Sequence, residues 1–122
     1  MSTMDVAQKF FALAVAHKDE EILKTLFSTD AVSIEAAEMP GLPRELHGLE
    51  AIAAKGNWWR ANNEVHSAKV EGPYPNGDRF AIRFSYDVTP KSTGKRMQMD
   101  EVALYTVSGD KIVREEFFYP TA

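Results

Sequence analysis

The strongest constraint on the fold is a pair of apolar runs near the end of this 122-residue chain. RMQMDEVALYTV and DKIVREEFFYP are both rich in β-branched and aromatic residues, and Ser108, Gly109 and Asp110 lie between them. A short stretch of turn-forming residues between two such runs is the sequence form of a β-hairpin. Residues 94–120 therefore predict two long antiparallel strands around which the rest of the chain is built.

The first strand of this hairpin is apolar on both of its faces. Because side chains alternate along a strand, one set of positions should cover the core, while the other meets water or a partner. Met97, Met99, Ala103 and Tyr105 share one face of the strand, and Val102 and Leu104 share the opposite face with Asp100. An exposed apolar face is typical of an interaction surface, so we expect a homodimer that pairs through the sheet.

Three segments before residue 63 have the apolar spacing of amphipathic helices. The first begins at Ser2 or Thr3 as a cap and runs to about His17. The second is EEILKTLF with Asp19 as its cap, and the third covers Leu49–Asn62. Two helices packed as a hairpin and a separate third helix are therefore predicted.

The remaining segments predict strands and loops. Residues 31–36, 65–71 and 79–89 are predicted strands, because apolar and β-branched residues alternate in them. Residues 39–43 hold two prolines and a glycine and are predicted to be a loop, as is the turn-rich stretch 72–77. Helices followed by a four-strand antiparallel meander predict an α+β fold with the helices on one side of a curved sheet.

Bulk composition limits the size and the class of the protein. The length fits a single domain over residues 1–122, and 44% hydrophobic residues with 26% charged residues are ordinary for a globular protein. A formal charge of −4 with scattered Lys and Arg argues against a nucleic-acid surface. No apolar run is long enough to span a membrane, and the N-terminus lacks the pattern of a secretory signal, so we expect a cytoplasmic protein.

The predicted order of elements, together with LFSTDAVSIEAAE, LHGLEAIAAKGNWW, RMQMDEVALYTV and DKIVREEFFYP, resembles the SnoaL-like and ketosteroid-isomerase-like branch of the NTF2-like superfamily. The resemblance covers nearly the whole chain. It implies a cone-shaped α+β barrel, in which three helices from the N-terminal half pack in a strongly curved, mainly antiparallel sheet. It also implies a pocket at the open end of the cone, and homodimers.

The resemblance also implies catalytic positions. Steroid isomerases use a carboxylate base at the end of the first strand, which corresponds to Glu35 here, and a protonated aspartic acid on a late strand, which corresponds to Asp100. Their third polar group is a tyrosine on the first helix, and Phe11 stands at that position, so Phe11 is expected to line the pocket. Because phenylalanine cannot donate a hydrogen bond, the oxyanion hole of those isomerases is incomplete in this chain.

Glu35 and Asp100 would oppose each other's ionisation if both faced one apolar pocket. One of the two carboxyl groups would then keep its proton near neutral pH, which gives a base and a hydrogen-bond donor. The alternative is that Glu35 belongs to the polar side of a strand and that Asp100 is a rim residue. Strand register from sequence leaves both interpretations open.

Further pocket-lining positions follow from the isomerase-like register of the last strand. That register turns Glu115, Phe117 and Tyr119 toward the pocket, whereas a slip of one residue would turn Glu116 and Phe118 there instead. Cross-strand ion pairing with an arginine is the alternative role for the inward glutamate.

Aromatic and histidine residues complete the set of candidates. Trp59 at the end of the third helix is a candidate pocket wall. His47 is expected to serve the start of that helix, and the role of His66 stays open. We expect no metal site, because the histidine spacing does not match one, and no cofactor, because nucleotide-binding motifs are missing.

Two functional hypotheses follow. The first is a cofactor-free isomerase, cyclase or lyase that moves a proton on a small apolar carbonyl compound. The second is a noncatalytic module that uses the same cone to bind a hydrophobic ligand or to dimerise.

Overall fold

Three helices precede most of the sheet in the computed structural model, which describes residues 1–121. Their bounds are Thr3–Val15 (α1), Asp19–Leu26 (α2) and Leu49–Asn62 (α3). Ser2 caps α1, because its hydroxyl accepts from the Asp5 amide while the Asp5 carboxylate accepts from the Ser2 amide. The predicted cap at Asp19 is wrong, since Asp19 is the first residue of α2 and no side chain caps that helix.

Six strands form one curved, mixed sheet in the order β2-β1-β6-β5-β4-β3. The four-strand antiparallel meander from β3 to β6 is confirmed, while β1 runs parallel to β6. The sheet does not close into a full barrel, because β2 and β3 remain its edges. The strands are Phe27–Ile34 (β1), Glu45–His47 (β2), Asn63–Asn76 (β3), Arg79–Pro90 (β4), Met97–Ser108 (β5) and Lys111–Phe118 (β6).

Two strands are longer than their sequence indicates. β1 begins directly after α2, at Phe27, and β3 continues through the stretch 72–77 that predicted a loop. An edge strand tolerates proline and glycine at a bulge, and the β3 register shifts between Glu71 and Tyr74. Gly72 has φ 124° there, and a Cβ atom would lie 3.0 Å from the Ala81 carbonyl oxygen. This bulge lets the long β3 strand follow the curvature of the sheet.

The hydrophobic core fills the space between the helices and the inner face of the sheet. Phe80 and Ile82 on β4 are fully buried, and Val6 and Phe10 of α1 belong to the same cluster. The predicted alternation of β4 and β5 is confirmed, because Phe80 lies opposite Tyr105 and both face the core. The inner face of β4 and β5 therefore contributes to the core and, further along the strands, to the candidate site.

The outer face of the sheet presents an apolar pair to solvent. Val102 and Phe118 are register partners on β5 and β6, and they are 39% and 50% exposed. A homodimer that pairs through the sheet stays a prediction. No helix among residues 1–121 is both long and apolar enough to cross a membrane.

Candidate functional site

A cavity of about 430 Å³ lies between the helices and the inner face of the sheet. Small-molecule sites typically occupy roughly 300–1,000 Å³ and combine an apolar wall with a few polar groups. Most of the lining side chains here are apolar or aromatic. They include Phe10, Ala14, Ile22, Leu23, Phe27, Met39, Ile52, Trp59, Val65, Ala68, Phe84, Tyr86, Tyr105 and Phe117.

Five polar side chains form a continuous hydrogen-bonded chain beside this cavity. The Ser33 hydroxyl donates to Glu115 Oε1 at 2.7 Å and accepts from the Lys55 ammonium. Lys55 Nζ also donates to Glu35 Oε2 at 2.9 Å, and the Tyr119 hydroxyl donates to Glu35 Oε1 at 3.1 Å. We call these residues the polar chain. It joins two buried carboxylates through one buried ammonium group.

The alternation of β1 and the spacing of α3 explain how these groups meet. Ser33 and Glu35 point inward, so the polar side of β1 is its buried side. Parallel pairing then sets Ser33 beside Glu115 on β6. Lys55 follows Ile52 by three residues, so both lie on the inner face of α3. The Lys55 ammonium also lies 4.8 Å from the centroid of the Phe117 ring, which adds a cation–π contact.

Glu101 is a third carboxylate in the cavity wall and does not belong to the polar chain. No side chain within residues 1–121 donates a hydrogen bond to it. Burial is the main cause that raises the pKa of Glu101 to about 7, with the charges of Glu35 and Glu115 acting in the same direction and the Lys55 charge acting against them. Glu101 is therefore a carboxyl group that changes its charge near neutral pH.

Glu115 and three tyrosines of the site keep their protons to higher pH than usual. Burial raises the pKa of Glu115, although Lys55 and the hydrogen bond from Ser33 counteract this. Burial and the adjacent Glu35 raise the pKa of Tyr119 to about 12. Burial also raises the pKa values of Tyr86 and Tyr105, so their hydroxyl groups remain neutral donors.

Asp100 lies on the opposite face of the sheet, so the expectation that it shares a cavity with Glu35 is wrong. Its side chain is 48% exposed, and its Oδ1 lies 3.8 Å from the Arg83 guanidinium. Hydrogen bonds from Ser85 and Gln98 hold the pKa of Asp100 below its usual value. Successive side chains point to opposite faces of a strand, so the inward acid is the next residue, Glu101.

The cavity includes three of the five residues predicted to line it. Trp59, Glu115 and Phe117 line the cavity, so the register that turns Glu115 inward is the observed one. Tyr119 contacts Glu35 instead of forming part of the lining. Phe11 packs against the core but does not line the cavity, because its neighbour Phe10 occupies that side of α1.

Four residues whose positions or roles the sequence left open lie outside the cavity. Glu116 and Phe118 face outward, and Glu116 accepts a hydrogen bond from Arg114. His47 contacts Glu45 rather than the start of α3, and His66 contacts Thr89, so neither reaches the cavity. In the described part of the chain, residues 1–121, no three His, Asp or Glu side chains converge in a way that could hold a metal ion.

Sequence reasoning did not single out Ser33, Lys55, Glu101 or Tyr105 as site residues. A signal for Glu101 was present, because alternation places this charged residue between Met99 and Ala103 on an otherwise apolar face. A lysine on a helix gives no such signal, since an amphipathic helix usually presents its lysines to water.

The model of the SnoaL-like domain family matches residues 1–119. A crystal structure of a protein from Mesorhizobium loti is 45% identical to this chain, with a TM-score of 0.92. That protein is provisionally described as a SnoaL-like polyketide cyclase, and its description also includes the words carbohydrate phosphatase. The match covers 98% of this chain and 100% of that one. No curated protein matches this chain.

Two more distant structures share the fold. An NTF2-like protein from Burkholderia thailandensis is 17% identical with a TM-score of 0.81, over 97% of this chain and 90% of that one. A Catenulispora acidiphila protein with a ketosteroid isomerase-like fold, in complex with trimethylamine, is 20% identical with a TM-score of 0.70. That match covers 93% of this chain and 84% of the other. The predicted resemblance and the cone-shaped α+β fold are thereby confirmed.

Replacing Lys55 by methionine should destabilise the protein strongly. The variant leaves Glu35 and Glu115 buried without their positive partner, and breaking a buried ion pair in this way costs about 3–5 kcal/mol. Urea unfolding at neutral pH measures the loss. The matched control is Lys69→Met, because the Lys69 side chain is 74% exposed. Equal stability of the two variants would show that the polar chain does not hold the fold together.

Replacing Glu101 by glutamine should change how stability depends on pH. The folded-state pKa of about 7 exceeds the ordinary 4.5, so the folded protein holds a proton that the unfolded chain releases, and wild-type stability falls as pH rises through this window. Above pH 7 the penalty reaches up to about 3 kcal/mol. Glu101→Gln carries no charge at this position and so lacks the penalty. The unfolding free energy of the variant, relative to that of wild type, should therefore rise between about pH 4.5 and pH 7.

The control for this titration is Glu64→Gln, because Glu64 is an exposed residue on β3. Its unfolding free energy should keep a constant offset from wild type between about pH 4 and pH 8. The same constant offset in Glu101→Gln would contradict the assignment of a raised pKa to Glu101.

Proposed function

Since the chain belongs to the SnoaL-like domain family, we propose that it is a cofactor-independent enzyme that moves a proton on a small, largely apolar carbonyl compound. The observation that carries this proposal is the Glu101 carboxyl group. It faces an aromatic cavity, has no hydrogen-bond donor among residues 1–121, and has a pKa of about 7. A general base is most effective when its pKa lies near the working pH.

The polar chain supports Glu101 in this role. The Lys55 ammonium is committed to Ser33 and Glu35, so it offsets the charge of Glu35 and does not form an ion pair with Glu101. Glu101 therefore remains available to a ligand. The negative charges of Glu35 and Glu115 act on it across the cavity and favour uptake of a proton.

The cavity wall selects the class of substrate. Trp59 and Tyr86 have ring centroids 5.2 Å apart, and Phe84 stacks on Tyr86 at 6.0 Å. Such surfaces bind flat, apolar molecules through burial and ring contacts. A phosphate ester is disfavoured, because four carboxylates line the cavity against two cationic side chains. The acids are Asp19, Glu35, Glu101 and Glu115, and the cations are Lys55 and Arg60.

The proposed step balances without a cofactor. Glu101 removes a proton from the carbon next to the carbonyl group, the C–H electron pair forms a carbon–carbon double bond, and the carbonyl oxygen becomes an enolate. Glu101 then returns the proton to the same or another carbon. Alternatively, the enolate carbon forms a bond to a second carbonyl carbon within the substrate, the π bond of that carbonyl breaks, and its oxygen takes the proton from Glu101. The last outcome is a cyclisation, which agrees with the provisional description of the Mesorhizobium loti relative.

Deuterium exchange tests this activity without knowledge of the natural substrate. We expect wild-type protein to accelerate the loss of deuterium from α-deuterated 2-tetralone, a bicyclic ketone, as followed by proton NMR. The rate should rise with pH and level off above about 7, because Glu101 is then ionised. Glu101→Gln should lower the rate by roughly 100-fold or more, which is the usual contribution of a general base.

The matched control is Glu116→Gln, since Glu116 lies on β6 but faces away from the cavity. This variant should exchange deuterium at the wild-type rate. If Glu101→Gln exchanges as fast as wild type, Glu101 is not the base. If wild-type protein binds 2-tetralone, seen as a change in tryptophan fluorescence, but accelerates no exchange, the noncatalytic binding module is the better description.

A further inference from the structure

Tyr105 carries a second polar group of the cavity that the polar chain does not use. The residue is only 2% exposed, yet no group within residues 1–121 forms a hydrogen bond with its hydroxyl. In the same part of the chain, no buried side-chain oxygen or nitrogen is both sealed and without a partner. The Tyr105 hydroxyl is therefore open to the cavity that its side chain lines.

Three rings fix the position of this hydroxyl. The Tyr105 ring stacks on Phe80 with centroids 5.1 Å apart, contacts Phe10 at 4.5 Å, and meets Phe27 edge-on at 6.5 Å. A ring held on several sides loses little further freedom when its hydroxyl binds a ligand. A donor that is pre-organised in this way is typical of a binding group rather than of a core residue.

The strand geometry relates this hydroxyl to Glu101. Glu101 and Tyr105 are four residues apart on β5 and face inward, with the small Ala103 between them. Their Cα atoms lie roughly 13 Å apart, and both side chains are long enough to bring their polar ends to one small molecule. Burial raises the pKa of Tyr105, and Glu101 is among the charges that raise it further, so the two groups lie within electrostatic reach.

We propose that the Tyr105 hydroxyl is the oxygen-binding group of the site, which donates a hydrogen bond to the carbonyl oxygen of the ligand while Glu101 faces the adjacent C–H group. This inference rests on the proposed function for the role of Glu101. It assigns to β5 the donor that Phe11 of α1 cannot supply. The ligand it selects is a flat carbonyl compound whose oxygen becomes negatively charged when the proton leaves.

Binding of 2-naphthol and naphthalene tests the assignment, because 2-naphthol is the aromatic analogue of the enol of 2-tetralone and naphthalene lacks the oxygen. Wild-type protein should bind 2-naphthol more tightly than naphthalene. Tyr105→Phe keeps the ring stack and removes the donor, so it should lose roughly threefold to tenfold in 2-naphthol affinity near neutral pH, where the naphthol is uncharged. Its affinity for naphthalene should stay unchanged.

The control is Tyr74→Phe, which removes a hydroxyl group from an exposed residue of β3. It should bind both compounds as wild type does, and urea unfolding should show that both tyrosine variants are folded. Equal 2-naphthol affinity of Tyr105→Phe and wild type would overturn the assignment, as would equal losses for naphthol and naphthalene.

Failure of this assignment is distinguishable from failure of the proposed function. If Glu101 supports deuterium exchange but Tyr105→Phe leaves the 2-naphthol affinity unchanged, the oxygen-binding group lies elsewhere and the enzyme proposal stands. If Tyr105→Phe weakens 2-naphthol binding and wild-type protein exchanges no deuterium, the oxygen-binding group stands and the enzyme proposal falls.

Discussion

The electrostatic balance between Lys55 and three carboxylates determines the character of the cavity. Buried charges are tolerated when they are paired and hydrogen-bonded, and the polar chain meets this requirement for Glu35 and Glu115. Glu101 has neither a counter-charge of its own nor a hydrogen-bond donor among residues 1–121. Its proton is therefore retained to higher pH than that of an ordinary glutamate, and this makes it the reactive group of the proposed site.

The sheet brings these groups together, and most of it was predictable from sequence. The hairpin of β5 and β6, the meander and the bounds of α3 follow from alternation, turn residues and helical spacing. The short β2 and the extension of β3 through Gly72 were not predictable in this way. Both depend on pairing with strands that are distant in sequence, and pairing of this kind overrides local turn signals.

The site was only partly predictable, because its polar groups depend on strand register and on tertiary contacts. The inward side of β6 was predicted through Glu115, whereas the resemblance led to Asp100 on the outer face of β5. One residue of register moves a side chain across the sheet, so a loose motif could not distinguish Asp100 from Glu101. Lys55 becomes significant only when α3 packs its inner face toward β1.

The most direct test of this account is the titration of the Glu101 side chain itself. Carbon-13 NMR of protein labelled at the glutamate side-chain carboxyl carbons, with the Glu101 signal assigned by its loss in Glu101→Gln, measures the pKa without a substrate. The account predicts a midpoint near pH 7. A midpoint near the ordinary value of 4.5 would contradict it, because Glu101 would then be a solvated carboxylate with no special capacity to accept a proton.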